Sequence, residues 1–187
     1  MPRPIVTAQT YPHKPAVIMG ASGEMVTFAQ LDRRSNKGAQ LFRALGLQAG
    51  DHIGMMVENC HHFIEIVWAA QRSGLIFTPI STHLKKSETA YILENCGAKL
   101  FIGSLALLEV ARQVRDEAVG VEHFYMVGGI ADGYESWEEA VDAHQASTLA
   151  ICLNLKFESA RHRTHPAATS ITTLPCARLL GYHDGEM

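Results

Sequence analysis

Short apolar segments alternate with longer amphipathic segments along this sequence, and that order limits the folds open to it. The amphipathic segments have apolar residues at helical spacing, and Gly46 and Gly74 follow two of them as stop signals. Four segments between them are predicted strands: His52–Val57, Leu75–Ile80, Lys99–Ile102 and His123–Val127. Strands that alternate with helices favour an α/β fold, with a largely parallel, layered sheet, from about Lys14 to His144.

A β-hairpin is predicted ahead of this alternation. Ala16–Met19 and Met25–Thr27 have strand character, and the turn residues Gly20–Gly23 join them. Thr27 is a candidate N-cap for a helix that extends to about Leu45. Further helices are predicted to begin at four cap residues: Asn59, Ser87, Ser104 and Ser136.

Two of the predicted strands are almost wholly apolar. His52–Val57 and Leu75–Ile80 have the composition of strands that are buried on both faces. Such strands belong in the middle of a parallel sheet with helices on either side. We therefore expect both strands in the interior of the sheet.

The composition is that of an ordinary globular protein and excludes several function classes. The chain has 187 residues, of which 47% are hydrophobic, and a net charge of -3, which gives no reason to expect binding to nucleic acid or anionic lipid. No apolar run is long enough to span a bilayer, and Met1–Pro15 lacks the apolar core of a secretory signal. We expect a cytoplasmic protein with one domain, residues 1–147, followed by a tail, residues 148–187.

The tail differs in character from the rest of the chain. It has no helix caps or sustained apolar periods, and no glycine lies between Tyr134 and Leu180. We expect residues 148–187 to be irregular or disordered, either as an ordinary flexible terminus or because a frameshift has altered the sequence.

The cysteines and histidines do not predict a metal site. The four cysteines form no Cys-x-x-Cys pair, so we expect free thiols. For Cys60-His61-His62, at the start of a predicted helix, we expect a partly exposed structural role. One further set matches the spacing of no common zinc module: Cys152, His162, His165 and Cys176. The acidic residues are scattered and define no acid–base pair, so no catalytic residue is assigned.

Six phrases of the sequence carry a resemblance to a known family. They are Val26–Leu31, Arg34–Ala39, Leu45–Ile53, Met56–Asn59, Ala69–Ile80 and Cys96–Lys99. Their order and spacing resemble the adenylate-forming superfamily, especially its fatty-acid–CoA ligases. The stretch Ile80–Leu84 is more similar to the acyl-CoA synthetase branch than to the amino-acid-activating branch. By this resemblance the chain is the N-terminal part of an AMP-forming acyl-CoA synthetase, with a partial N-terminal subdomain of the adenylate-forming fold.

The resemblance implies a two-step reaction. A fatty acid attacks ATP to give an acyl-adenylate and pyrophosphate, and the thiol of CoA then displaces AMP. Members of the family hold the ATP phosphates with a glycine-rich Ser/Thr loop that ends in Pro-Lys, assisted by magnesium. They also use acidic, ribose-binding and C-terminal lysine elements for which this sequence offers no counterpart.

One segment of the tail, Thr169–Cys176, resembles a degenerate copy of that phosphate loop. Ser170, Thr172 and Thr173 are its candidate cofactor-binding residues, while Ile171 stands at the first glycine position and a cysteine replaces the final lysine. Chance similarity in a Ser/Thr-rich tail is the alternative. Because backbone approaches phosphate closely where glycine removes the Cβ, we expect no productive ATP binding under either interpretation.

Three functional hypotheses remain open. The first is an inactive, truncated ligase of the fatty acid- and CoA-binding family. The second is a non-enzymatic α/β interaction module, or one part of a split ligase whose C-terminal part is encoded separately. The third is an unrelated α/β protein for a small ligand, although the sequence has neither a Gly-x-Gly-x-x-Gly nor a Gly-x-Ser-x-Gly motif. The DNA around and beyond the stop codon would separate the first two hypotheses.

Overall fold

The computed structural model describes residues 4–147. In chain order the elements are α1 (Pro4–Thr10), β1 (Pro15–Ile18), β2 (Met25–Thr27), α2 (Phe28–Ala44), β3 (His52–Met56), α3 (His61–Ser73), β4 (Ile76–Pro79), α4 (Lys86–Cys96), β5 (Ala98–Ser104), a 3-10 turn (Leu105–Leu107), α5 (Leu108–Glu117), β6 (His123–Val127), β7 (Glu135–Ser136) and α6 (Trp137–Asp142). The hairpin followed by alternating strands and helices confirms the predicted α/β fold. The predicted tail, residues 148–187, lies outside the described residues.

The strands form two separate sheets. β1 and β2 pair antiparallel as the predicted hairpin. The other five strands form one sheet in the order β4-β3-β5-β6-β7, and each neighbouring pair is parallel. β3 therefore lies inside the sheet, where Gly54 stands opposite Thr78 of β4 and Phe101 of β5.

β4 corrects one of the two predictions about interior strands. The interior position predicted for His52–Val57 is confirmed, but β4 lies at the edge of the sheet, and its first residue, Ile76, is 48% exposed. The two residues that flank the strand, Leu75 and Ile80, are buried. Leu75 and Ile80 account for much of the apolar character of the predicted strand. Composition alone therefore does not distinguish an edge strand with buried neighbours from an interior strand.

The sheet has helices packed on both of its faces, because side chains alternate in direction along each strand. One face packs against α2, α3 and α6 and the other against α4 and α5. In β5, Leu100 and Ile102 join the first layer and Phe101 joins the second. In β6, Tyr125 and Met126 divide in the same way. The core is therefore two apolar layers separated by the sheet.

Local capping explains several helix boundaries. The Thr27 side chain accepts a hydrogen bond from the backbone N–H of Gln30, which confirms the predicted N-cap of α2. The Gln30 side chain accepts one from the backbone N–H of Thr27 in return, which completes a capping box that was not predicted. Ser136 likewise accepts from the backbone N–H of Glu139 at the start of α6. At the end of α3, Gly74 adopts a left-handed conformation with φ of 72°, which confirms the predicted stop.

Three predicted caps need correction. The N-cap of α3 is Cys60 and not Asn59, and it makes no side-chain cap bond. The N-cap of α4 is Lys85, whose backbone N–H donates to Glu88, so Ser87 lies inside the helix. Ser104 does act as a cap, but of the short 3-10 turn that precedes α5. The helices α3, α4 and α5 therefore begin one, two and three residues from their predicted positions, and differences of one or two residues are usual at helix ends.

Two elements were not predicted at all. α1 has no regular apolar stripe in the sequence, and β7 is only two residues long. β7 nevertheless matters for the site described below, because it joins the sheet next to β6 and leads directly into α6.

Polar side chains connect α2 to α3 beneath the surface. The Arg72 guanidinium of α3 donates to Ser35 Oγ at 3.1 Å and to Asn36 Oδ1 at 2.9 Å, and it forms an ion pair with Asp32. Ser35 and Asn36 are 0% and 2% exposed, so these bonds satisfy groups that water does not reach. Among the described residues, no helix has the length and apolarity needed to cross a membrane.

Candidate functional site

The carboxyl ends of the parallel strands define the candidate site. In open α/β sheets, ligands bind most often in the loops that follow these ends. Here Ser104, the last residue of β5, lies at the same edge of the sheet as Glu58 and Gly128 in the loops after β3 and β6. The first turns of α3 and α6 begin at the same edge, because each helix follows directly on a parallel strand or its short loop.

Ser104 and Glu58 join the ends of β5 and β3. The Ser104 hydroxyl donates to the Glu58 carboxylate and accepts from the backbone N–H of Ala106 at 3.2 Å. Ser104 is fully buried. Both hydrogen-bonding functions of the hydroxyl are therefore used inside the protein, and the pair acts to fix the two strand ends.

Three side chains of α3 form a compact cluster, which we call the His–Glu cluster: His61, His62 and Glu65. Each offers one possible ligand atom, and these atoms lie within 4.8 Å of one another. His62 Nδ1 is 3.1 Å from Glu65 Oε2, and His61 Nε2 is 4.0 Å from Glu65 Oε1. The cluster forms because residues three and four positions apart share a helix face, and because helical side chains lean towards the N-terminus.

Glu65 is the buried member of the cluster. It is 4% exposed, and Arg34 of α2 donates to its Oε1 at 2.7 Å. Burial by itself raises the pKa of Glu65, but the contacts with His62 and Arg34 outweigh it and hold the pKa below the usual range. The cluster therefore contains a carboxylate that stays ionised inside the protein.

Two further carboxylates hold the histidines from the outside. His61 Nδ1 lies 3.3 Å from Glu24 of the hairpin turn, and His62 Nε2 lies 3.4 Å from Glu138 of α6. Glu138 also accepts the backbone N–H of Gly128 at 2.8 Å. With Arg34 of α2, four separate parts of the chain meet at this cluster: the hairpin turn, α2, α3 and α6.

Comparison with known proteins identifies the family. The family described as AMP-binding enzyme matches residues 6–174. The chain belongs to this family. Among curated relatives, the crotonobetaine/carnitine–CoA ligase of Escherichia coli is 33% identical over 113 residues, which is 59% of this chain and 22% of the relative. The chain therefore spans less than a quarter of the length of that relative.

Solved structures of a CoA synthetase and a CoA ligase show the same fold. A fatty acyl CoA synthetase of Mycobacterium tuberculosis superposes with a TM-score of 0.71 at 24% identity, over 80% of this chain and 29% of the other. A benzoate CoA ligase of Burkholderia xenovorans gives a TM-score of 0.67 at 21% identity, over 79% and 29%. At these identities the likeness concerns the fold, which confirms the predicted N-terminal adenylate-forming architecture.

The carboxyl edge does not fit the triphosphate of ATP, the nucleotide expected for an AMP-binding enzyme. Glu24, Glu58, Glu65 and Glu138 all lie there, and Arg34 is already paired with Glu65. A phosphate site requires hydrogen-bond donors and positive charge around the oxygens. The acidic side chains at this edge would instead repel a triphosphate, so no step of an ATP-dependent reaction is assigned to the residues of this edge.

The predicted cofactor-binding residues Ser170, Thr172 and Thr173 lie outside the described residues and stay a prediction. The family match does extend to residue 174 and therefore includes them. Sequence reasoning singled out the two adjacent histidines but missed Glu65. The spacing of Glu65 from His61 and His62 along a predicted helix was the signal that could have found it.

A second polar region, at the opposite end of β6, does not resemble a ligand site. The Arg115 guanidinium lies over the Phe124 ring at 5.7 Å, and the Tyr134 hydroxyl donates to the Ala111 carbonyl at 2.6 Å. Cys60 also lacks the properties of a reactive group, since burial raises the pKa of its thiol. Cys60 and Cys96 are free cysteines, as predicted.

Proposed function

We propose that this chain is the N-terminal part of a CoA ligase of the AMP-binding family and that it is inactive as an isolated chain. The observation that carries the proposal is the contrast between a family match over residues 6–174 and a coverage of only 22% of the curated relative. The acidic carboxyl edge adds to it, because the groups at this edge do not fit a phosphate. ATP, magnesium and CoA remain the expected cofactors of the complete ligase, and the cytoplasm remains its proposed compartment.

We propose a fatty acid as the acid substrate of the complete ligase. The resemblance of Ile80–Leu84 to the acyl-CoA synthetase branch supports this choice, and one structural relative is a fatty acyl CoA synthetase. Other relatives are named for crotonobetaine, carnitine or benzoate, so the acid has to be tested across these classes.

A pyrophosphate-release assay tests the proposal. The purified chain would be incubated with magnesium, ATP and, in separate reactions, fatty acids of several lengths, benzoate and crotonobetaine. We expect no acid-dependent release above a reaction without protein. The segment Thr169–Cys176 lacks the glycines and the lysine of the family's phosphate loop, and losing a single hydrogen-bond donor to the transition state already costs about 100- to 1,000-fold in rate. Release with any acid would refute inactivity, and the acid that gives it would identify the substrate class. A Thr172→Ala/Thr173→Ala variant would then show whether the degenerate loop is responsible.

The exposed edge strand favours a second candidate, one part of a split ligase. β4 has neighbours on one side only within the described residues, and Ile76 exposes apolar surface there. An unpaired edge is a template for another strand. Coexpression with the C-terminal remainder of a related ligase should restore pyrophosphate release if this candidate is correct. Ile76→Lys should then abolish the restored activity, whereas restoration that tolerates this variant would argue against pairing at β4.

A further inference from the structure

We propose that the His–Glu cluster is a zinc-binding site, in which His61, His62 and Glu65 bind the ion and Glu24 and Glu138 orient the two imidazoles. This proposal does not depend on the ligase assignment. It concerns residues that the expected chemistry of the family leaves unused, and it differs from the structural role that the sequence suggests for the histidine pair.

The ligand atoms are already close to the spacing that zinc requires. Zinc bonds of about 2.0–2.1 Å in a tetrahedral arrangement separate neighbouring ligands by about 3.3 Å. In the cluster, His62 Nδ1 lies 3.1 Å and His61 Nε2 lies 4.0 Å from Glu65 oxygens, and all three ligand atoms lie within 4.8 Å of one another. Side-chain movements of about an ångström would therefore close the site.

The outer carboxylates are the second observation that points to a metal. A metal-bound histidine usually donates its other ring N–H to a carboxylate, which fixes the tautomer and strengthens the ligand. Here the nitrogen of each imidazole that faces away from Glu65 lies beside a carboxylate: Glu24 for His61 at 3.3 Å and Glu138 for His62 at 3.4 Å. Zinc binding would replace the proton of the 3.1 Å contact between His62 Nδ1 and Glu65 Oε2, because a ligating imidazole nitrogen must be deprotonated.

The charge of the site suits a divalent cation. With neutral imidazoles, Glu24, Glu65 and Glu138 oppose the single positive charge of Arg34, which leaves two net negative charges. The N-terminus of α3 disfavours a cation, but a helix end contributes only about half a unit charge. Arg34 also fits a role outside the ion, because ligating carboxylates are themselves usually hydrogen-bonded.

The ligand types select zinc over the hard cations. Two imidazoles with one carboxylate are a common zinc set, whereas magnesium and calcium prefer oxygen ligands alone. The side chains of His61 and His62 are 18% and 20% exposed, so an ion can enter and a water can complete its coordination. Bound zinc would hold α3, the hairpin turn and α6 together through the five side chains.

Zinc titration of the full-length, metal-stripped chain by calorimetry, with thermal unfolding in parallel, tests the proposal. We expect one zinc equivalent that raises Tm, and the loss of both effects in His61→Gln/His62→Gln. His13→Gln is the matched control, since His13 is an exposed histidine outside the cluster and its removal should leave zinc binding unchanged. Zinc held by residues outside the cluster is common to the wild type and the double histidine variant, so the proposed site corresponds to the one equivalent that differs between them.

Two further measurements keep the test decisive. Glu24→Gln changes a residue in an exposed turn and should weaken zinc binding by about 10- to 100-fold, even if the double histidine variant fails to fold. Cobalt in place of zinc should give a visible spectrum, and the part of it that the double histidine variant loses should contain no charge-transfer band of a bound thiolate. Zinc affinity unchanged in either the double histidine variant or Glu24→Gln would overturn the proposal, as would a cobalt–thiolate band that the double histidine variant loses.

Discussion

Gly54, in the middle of the parallel sheet, has no room for a side chain. A Cβ at this position would lie 2.1 Å from Leu93 Cδ2 and 3.5 Å from Ile80 Cδ1. Leu93 belongs to α4 and is 1% exposed, so its methyl group has little free space into which to turn. Gly54→Ala must therefore push α4 away from β3 or force Leu93 out of its preferred rotamer.

The free energy of unfolding should fall by about 1–2 kcal/mol in Gly54→Ala. Overpacking costs about 1–3 kcal/mol, and alanine recovers about 0.5–1 kcal/mol of the disadvantage of glycine in a strand. Leu93→Ala should cost about 2–5 kcal/mol, because it leaves a cavity. In the double variant the new methyl group occupies part of that cavity, so the combined loss should be at least about 1 kcal/mol smaller than the sum of the two.

Urea unfolding of the three variants and the wild type, followed by circular dichroism, measures these differences. Gly20→Ala is the control, because a Cβ there meets nothing within 4 Å and its φ lies outside the left-handed region. We expect it to change the free energy of unfolding by less than about 0.5 kcal/mol. A Gly54→Ala protein as stable as Gly20→Ala, or strictly additive losses in the double variant, would refute the packing argument.

Two further predictions concern buried polar groups. Arg72→Met should lower the free energy of unfolding by about 2–4 kcal/mol in urea, because it leaves Asp32 and Asn36 without their guanidinium partner, while Arg33→Met on the exposed face of α2 should have little effect. Arg72→Met losses no larger than those of Arg33→Met would contradict this view. Burial, with the nearby charge of Glu135, raises the pKa of Tyr125 to about 12, so the folded state holds this proton more tightly than the unfolded state. The stabilisation is complete below about pH 10 and is lost as the pH rises towards about 12, and Tyr125→Phe should reduce this alkaline loss in urea unfolding at a series of pH values.

The parts of the fold that local chemistry decides could be predicted from the sequence. The N-cap Thr27 and the helix stop at Gly74 depend on residues a few positions apart, so the sequence alone is enough to predict them. The position of β4 in the sheet could not be predicted in this way, because it depends on which strands pair beside it. Its apolar character is shared with its buried neighbours Leu75 and Ile80, and that is why the predicted interior position was wrong.

The candidate site likewise combines features that are visible in the sequence with contacts that form only in the tertiary structure. The spacing of His61, His62 and Glu65 is visible in the sequence, but the role of these residues depends on partners that only the tertiary structure supplies. Glu24 comes from the hairpin, and Glu138 follows β7, a strand too short to predict. The sequence therefore predicts correctly that the histidines lie at the start of a helix, but it does not predict that Glu24 and Glu138 lie beside them.

The polar groups at the carboxyl edge of the sheet form hydrogen bonds with one another. Ser104 donates to Glu58, Gly128 donates to Glu138 and Arg34 donates to Glu65, so the edge is stabilised without a nucleotide. Each donor used in this way is unavailable to a phosphate oxygen, and each carboxylate adds negative charge that a triphosphate would oppose. If this chain forms part of a ligase, we expect its phosphate-binding donors to come from residues other than these. This separation lets the α/β layers be tested for packing and for zinc independently of any adenylating activity, because function resides in the site and not in the fold that supports it.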